Sequence, residues 1–289
     1  LCGFLLDTII FVFNNDPPRN GNIFKENNIH LDFASIKDPV FKILNGSVSS
    51  NIGGNDLKEY KYVWIQSGWT TTHMANLLHM YLQSKGIPHN VPNKQDTKIS
   101  DIFTLAINGI SVPNTFFHNG LKINDEHIDE IENVCKFPCI YKKLTGSLGS
   151  QVFLIEEKGL IPQVIKEYKK YNSYIFQQYI PNDFDYRIVV ANGKAVSICK
   201  RTRINDTYRN NVALGASEEF ISIENTPKEI LNLAKEASKI LNLNWAGVDI
   251  VMDKNTSDIY ILEVNRRPCL TENTSEAFSA YRYVEDLLN

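Results

Sequence analysis

Three oxygen-bearing side chains, Asp249, Glu263 and Asn265, fall within the stretch AGVDIVMDKNTSDIYILEVN from Ala246 to Asn265. Two apolar runs, Val248 to Met252 and Ile259 to Val264, flank a polar turn, Asp253 to Asp258, which predicts a hairpin. Side chains alternate between faces along a strand. Val248, Ile250 and Met252 then share one face with Tyr260, Leu262 and Val264. Asp249 and Val251 share the other with Ile261, Glu263 and Asn265. With the turn centred on Thr256, Asp249 lies directly opposite Glu263, Cβ atoms roughly 5 Å apart. Like charges so placed are destabilising unless something positive sits between them. A hard divalent cation fits, because it takes carboxylate and amide oxygens. The competing reading is two solvated carboxylates on an open sheet face.

A second feature concerns anions. Lys142 and Lys143 end the stretch Phe137-Pro-Cys-Ile-Tyr-Lys-Lys and precede a small-residue loop, Leu144 to Gln151. Gly146 and Gly149 let backbone amides approach an anion closely. Alternation allows only one of the two lysines to face it. An ordinary hairpin with surface lysines competes with this. Lys200, Arg201, Arg203 and Arg209 place four cations within ten residues. They suit either a solvated edge strand or a grip on phosphate oxygens, which the arginine fork matches.

The elements that must position these groups follow from pattern. Helices are expected over Thr72 to Lys85, closed by Gly86, and from Thr97 to Asn108-Gly109. Others run from Asn124 to Val134 and from Leu160 to Tyr171. A further helix follows Thr226-Pro-Lys-Glu, where Thr226 caps, Pro227 takes the first helical position and Glu229 completes a box. Strands are expected at Thr8 to Phe13, Ile29 to Phe33, Tyr62 to Gln66, Tyr174 to Ile180, Asp185 to Val190 and Ala195 to Lys200. Val112 to Phe117 carries Pro113 and reads as an edge strand. Asn14 to Asn22 is a turn cluster, and Asn45 to Asn55, with three glycines and three serines, reads as a loop. The alternation of strand and helix predicts a small parallel α/β domain to about Pro92.

A length of 289 residues suggests about two domains. The 43% hydrophobic and 22% charged content is that of an ordinary globular protein. A net charge of -3 points to neither nucleic acid nor a membrane surface. Leu1 to Phe13 is apolar but broken by Asp7 and shorter than the roughly 20 residues of a membrane span. The chain opens at Leu1 rather than methionine, so its true start is expected upstream. Cys2, Cys135, Cys139, Cys199 and Cys269 have no zinc or redox spacing, which favours reduced thiols in the cytoplasm.

From Asn93 onward the sequence resembles the ATP-grasp superfamily, and within it the RimK-like carboxylate–amine ligases of glutamate-ligase and peptide-modifying type. Asp96-Thr-Lys-Ile-Ser-Asp-Ile-Phe, followed by Gly-Ile-Ser-Val-Pro, is similar to the segment bearing the family's first nucleotide lysine, here Lys98. Ile140-Tyr-Lys142 and the loop after it resemble the second lysine strand and phosphate flap. Phe176-Gln-Gln-Tyr-Ile180 resembles the hinge that pairs with adenine around Gln178 and Tyr179. Asp185-Tyr-Arg187 resembles the D-x-R step whose acid contacts the ribose. Tyr208-Arg209-Asn210-Asn211 resembles the F-R-x-N element near phosphates and metal. Asp249, Glu263 and Asn265 resemble the magnesium triad of G-V-D and E-V-N. The order and spacing of these pieces together are more specific than any one of them. Three positions depart from the pattern. Arg266-Arg-Pro-Cys269 follows the E-V-N, Ala213-Leu-Gly-Ala216 replaces a His-x-Gly-Gly run, and Gln178 replaces a glutamate.

The resemblance implies an α/β fold of α+β lobes, an ATP-grasp fold with an N-terminal Rossmann-like pre-ATP-grasp domain. Its parts would span 1–92, 93–179 and 180–289. It implies ATP and Mg2+, with Mn2+ as a substitute, and an amide-forming reaction through an acyl phosphate. Lys98 and Lys142 would neutralise phosphates, with Gln178, Tyr179, Asp185 and Asn211 also at the nucleotide. Asp249, Glu263 and Asn265 would hold the metal. Arg209 would stabilise the transferred phosphoryl group and the oxyanion, with Arg187 assisting. Arg266 and Arg267, by position, are candidate readers of a carboxylated or peptide substrate. The implied partners are a carboxylate substrate and an amine substrate, extending to a peptide or protein, in a cytoplasmic homo-oligomer without nucleic acid or membrane. A non-catalytic nucleotide-binding or scaffold module of the same fold is the alternative.

Overall fold

A computed structural model describes residues 8–13, 30–65, 71–90, 98–118, 123–144, 152–168, 174–203, 216–266, 268, 271 and 273–288. The turn cluster from Asn14, the loop at 145–151, Thr97, Arg209, Asn211 and Arg267 lie outside them. The chain divides into two compact units, 1–95 with 269–289, and 96–268.

In the first unit, β1 (Thr8–Phe13) lies between β2 (His30–Ser35) and β6 (Tyr62–Ile65), all parallel. Their apolar residues, Ile10, Val12, Val63 and Ile65, pack with Leu78 and Leu82 of α1 (Thr72–Lys85). Gly86, at φ 67°, ends that helix by returning its amide to Leu82 and Gln83 carbonyls, as a left-handed cap does. The expected loop at Asn45 to Asn55 is instead sheet. It joins β3 (Val40–Leu44) through β4 (Ser47–Ile52) to β5 (Asn55–Asp56). Asn45 and Gly46 take φ of 48° and 78°, the pair of positive angles that a tight two-residue hairpin requires. The C-terminal helix Ser275–Leu288 also belongs to this unit, with Tyr283 edge-on to Trp64 at 5.3 Å. The sequence division had placed 269–289 with the last lobe.

The second unit holds α2 (Lys98–Ile107), β7 (Thr115–Phe117), α3 (Asp125–Cys135), β8 (Cys139–Lys143), β9 (Val152–Ile155), α4 (Ile161–Tyr168) and β10 (Tyr174–Gln178). It continues with β11 (Phe184–Ala191), β12 (Lys194–Thr202), β13 (Ser217–Ile221), α5 (Lys228–Ile240), β14 (Trp245–Met252) and β15 (Ile259–Asn265). Two antiparallel sheets result, ordered β7-β10-β8-β9 and β13-β12-β11-β14-β15. The strand after Pro113 is indeed an edge. β12 is interior, which removes the edge-strand reading of its cations. Asn124 caps α3 by accepting the His127 amide at 2.9 Å. The box expected at Thr226 does not form. Its hydroxyl donates to the Ser222 carbonyl at 3.1 Å, and the helix starts at Lys228.

One face of the five-stranded sheet packs on α5 through Ile188, Val248, Ile250, Ile261, Ile230 and Ala234. Helix α2 reaches both sheets of the unit: Ile102 packs with Leu144 and Ile175, and Leu105 with the five-stranded core. Among the described residues no helix is long and apolar enough to cross a membrane. Cys135, Cys139 and Cys199 are buried and in no disulfide.

Candidate active site

The β14–β15 hairpin puts Asp249 directly opposite Glu263 and Gly247 opposite Asn265. The expected alternation holds on β14 but breaks on β15. The register slips after Asp249, so Ile250 faces Ile261 and Leu262 is the extra residue. Such a bulge re-aims side chains. Ile261 therefore enters the core beside Val264 and leaves the face of Glu263 where simple alternation had it. The bulge also frees backbone groups for other elements. The Ile261 amide donates to the Ser111 carbonyl at 3.0 Å, and the Leu262 carbonyl accepts from Lys142 Nζ at 3.4 Å.

Of the paired lysines, Lys142 faces inward and is 8% exposed. Burial pushes its ammonium down to about 8; Lys98 pushes the same way, and Glu263 and Asp249 oppose. Lys98, the first residue of α2, stands 3.5 Å from Glu263 Oε1. Lys142 thus lies within electrostatic reach of Lys98 and of both hairpin carboxylates, and Lys98 of Glu263.

Asp249, 7% exposed, is held by two arginines. Arg187, its neighbour across the β11–β14 ladder, donates from Nε and Nη2, both at 2.8 Å. Arg201 Nη2 stands 3.2 Å from Oδ2. Arg201 also forks onto Asp185, its ladder partner on β11, at 2.7 and 2.9 Å. Burial opposes ionisation of Asp249, but Arg187 and Arg201 outweigh it and hold the carboxyl at about 2. At Asp185 burial outweighs the Arg201 fork and the weaker pull of Arg187, the Asp249 charge adds to burial, and the carboxyl is raised to about 6. The described cations of this run, Lys200 and Arg201 on β12 and Arg203 just after it, are therefore already engaged. Arg201 binds carboxylates, Lys200 sits 4.2 Å over the Phe184 ring, and Arg203 reaches the Tyr179 hydroxyl and Asp183. Arg201 is the residue the sequence reading passed over as a member of a basic run.

The structure brings Lys98, Lys142, Asp185, Arg187, Asp249, Glu263 and Asn265 together. Tyr179 is tied instead to Arg203, its hydroxyl 3.3 Å from Nη1. At the end of β10, Gln178 pairs twice with Asn114: its amide donates to the Asn114 carbonyl at 2.8 Å, and its Oε1 accepts the Asn114 amide at 3.3 Å. Arg266 meets an acid of this chain, with both Nη atoms on Asp101 at 2.6 and 2.7 Å.

The donor set suits a hard cation. Asn265 turns Nδ2 to Asp249 Oδ2 at 3.5 Å, and rotation of that amide would present its oxygen instead. Glu263 is the more open carboxylate. Among the described residues no three His, Cys, Asp or Glu converge as a ligand set. A cation here would draw on the Asn265 oxygen and on an anionic companion. Asp185, Asp249 and Glu263 face Lys98, Lys142, Arg187 and Arg201, three negative charges against four positive, so the place favours an anion with its metal over a bare metal.

A family model described as the RimK-like ATP-grasp domain matches residues 95–279. Human beta-citrylglutamate synthase B is 27% identical over 247 residues, 81% of this chain and 62% of that protein. The chain thus spans about three-fifths of the length of the curated relatives it first matches. A probable alpha-L-glutamate ligase of Methanococcoides burtonii is 34% identical over 225 residues, 75% of this chain and 72% of that one. The solved ATP-grasp ligase PsnB, complexed with minimal precursor, Mg and ADP, aligns at TM-score 0.74 and 14% identity over 100% of this chain and 99% of that chain, a likeness of fold. With the matched span covering more than half its length, the chain belongs to the RimK-like ATP-grasp domain family.

Proposed function

We propose that the chain is an ATP- and Mg2+-dependent carboxylate–amine ligase that forms an amide bond through an acyl phosphate. The observation that carries this is the convergence of Lys98 and Lys142 on the Asp249–Glu263 pair. Two neighbouring ammoniums, one of them buried, are unfavourable alone and favourable against a polyphosphate. In this reading Lys98 and Lys142 neutralise the nucleotide phosphates, with Gln178, Tyr179, Asp185 and Asn211 at the rest of the nucleotide. Glu263, Asn265 and Asp249 hold Mg2+, and a bound Mg2+ offsets phosphate charge and orients the transferred group. Arg187 and Arg201 keep Asp249 ionised and fixed.

A substrate carboxylate oxygen attacks the γ-phosphorus, the bond to the bridging oxygen breaks, and ADP departs. An amine nitrogen then attacks the acyl carbon, a proton is lost, and inorganic phosphate leaves with the amide formed. Arg209 is assigned to the phosphoryl group and the oxyanion, and Arg187 to orientation beside it. No side chain has to act as a nucleophile. For the substrates, the reading favours an amino acid joined to a small acid, a peptide or a protein side chain. The names of the glutamate-linked relatives and the precursor-bound PsnB support that class.

The test is Mg2+-dependent ADP release across a panel of acyl and amine pairs, wild type against Glu263→Gln. Release that requires both substrates and falls about 100-fold or more in the variant is expected, as for loss of one electrostatic group from a transition state. Tight MgATP binding with no release from any pair would favour the non-catalytic module. Failure to bind ATP would sink the nucleotide reading itself.

A further inference from the structure

Helix α2 and the end of β15 are joined by two ion pairs of opposite polarity. Lys98 and Asp101 are three residues apart and so share a helix face. Lys98 meets Glu263, and Asp101 meets Arg266. Slippage by one turn would set Asp101 against Glu263 or Lys98 against Arg266, so the charges specify one register. The pairs differ in quality. Lys98–Glu263 is a single contact at 3.5 Å, with Glu263 about one-third exposed. Asp101–Arg266 is a two-bond fork at 2.6 and 2.7 Å, and Asp101 is buried. A planar fork of this kind fixes geometry as well as charge.

We infer that Asp101 and Arg266 form a positioning clamp that keeps Lys98 over the phosphate site after Glu263 has exchanged Lys98 for a cation. The inference rests on the nucleotide reading above. When a metal–nucleotide complex enters, Glu263 turns to the metal and Lys98 to a phosphate, so their mutual contact is lost. The fork touches neither ligand and survives the exchange, holding the first turn of α2 on β15. Asp101 and Arg266 are thus positioning residues. This also gives Arg266 a use inside the chain, where the sequence alone suggested a substrate reader.

The experiment is calorimetric titration of the full chain with MgATP, comparing wild type, Asp101→Asn, Lys98→Met and the double variant. Asp101→Asn is expected to weaken binding about tenfold or more, the scale of losing one charge-assisted hydrogen-bonded partner. Added to Lys98→Met, it is expected to change affinity no further, because it acts through Lys98. A merely structural role would give losses that add. Additive losses, or an Asp101→Asn affinity within about twofold of wild type, overturn the clamp. Should Asp101→Asn fail to fold by circular dichroism, Arg266→Lys keeps the charge, loses the fork and carries the same comparison. A wild type that binds no MgATP removes the nucleotide reading and the clamp's role with it. A wild type that binds, alongside an unaffected Asp101→Asn, removes the clamp alone.

Discussion

Lys142 is held where an ammonium is least comfortable, buried and beside Lys98. Its fall from an ordinary value near 10.4 to about 8 corresponds to about 3 kcal/mol against the charged form in the ligand-free protein. In the proposed function a bound nucleotide polyphosphate reverses this cost. Lys142→Met is therefore expected to raise the unfolding temperature of the ligand-free protein at pH 7 by a few degrees while abolishing MgATP binding. The pH dependence has a definite sign. The native lysine releases its proton at about 8 and the unfolded one near 10.4, so between those values the unfolded chain binds more protons. Wild-type stability should gain from this group as pH rises through that window, and the gain should vanish in Lys142→Met. Unfolding scans at pH 7 and 9.5 decide it; a variant less stable than wild type at pH 7 would refute the account. Alternation along the strand already implied that one of Lys142 and Lys143 faces inward. Arg201 was not legible in the same way. A basic run reads alike whether it meets solvent, phosphate or carboxylate, and only the β11–β12 and β11–β14 registers bring Asp185 and Asp249 to it.

At the scale of elements, the hairpin with Asp249 opposite Glu263 was readable because turn and period are local. The bulge at Leu262 was not. It is sustained by the Ser111 carbonyl and the Lys142 ammonium, each more than a hundred residues away in sequence. The reverse error occurred at Asn45-Gly46, where a local hairpin signal was present and the surrounding serines and glycines masked it. The hairpin's far end supplies a prediction. A Cβ on Gly247 would stand 2.7 Å from Pro268 Cβ, and Gly247 is the ladder partner of Asn265. Gly247→Ala must displace the segment that leaves Asn265. Overpacking of this kind costs about 1–3 kcal/mol. Thermal unfolding should fall accordingly, and nucleotide affinity should drop more with Mg2+ than without it, because the disturbed strand carries the oxygens proposed for the metal and not the lysines. An unchanged unfolding temperature would show that Pro268 yields freely.

At the scale of the molecule, the divisions expected at 92 and 179 came from changes of motif along the chain, and the two compact units come from contacts that ignore chain order. The segment 269–289 shows the difference. Its helix buries Ala277, Ala280, Tyr283 and Val284, a stripe at helical spacing that says a surface must be covered but not which one. The answer lies in Trp64, some two hundred residues earlier, edge-on to Tyr283. Burial there pushes the Tyr283 phenol up to about 12. Tyr283→Ala should thus act on the first unit although it lies near the end of the chain. Removing a buried aromatic costs about 3–5 kcal/mol, and local opening follows the stability of the unit that loses the contact. Hydrogen exchange should accelerate at the amides of β6 and α1 in that variant and stay at its wild-type rate in β14. Exchange that rises equally in both units, or first in β14, would mean that the helix supports the second unit and that the chain's last segment belongs with β14 and β15 after all.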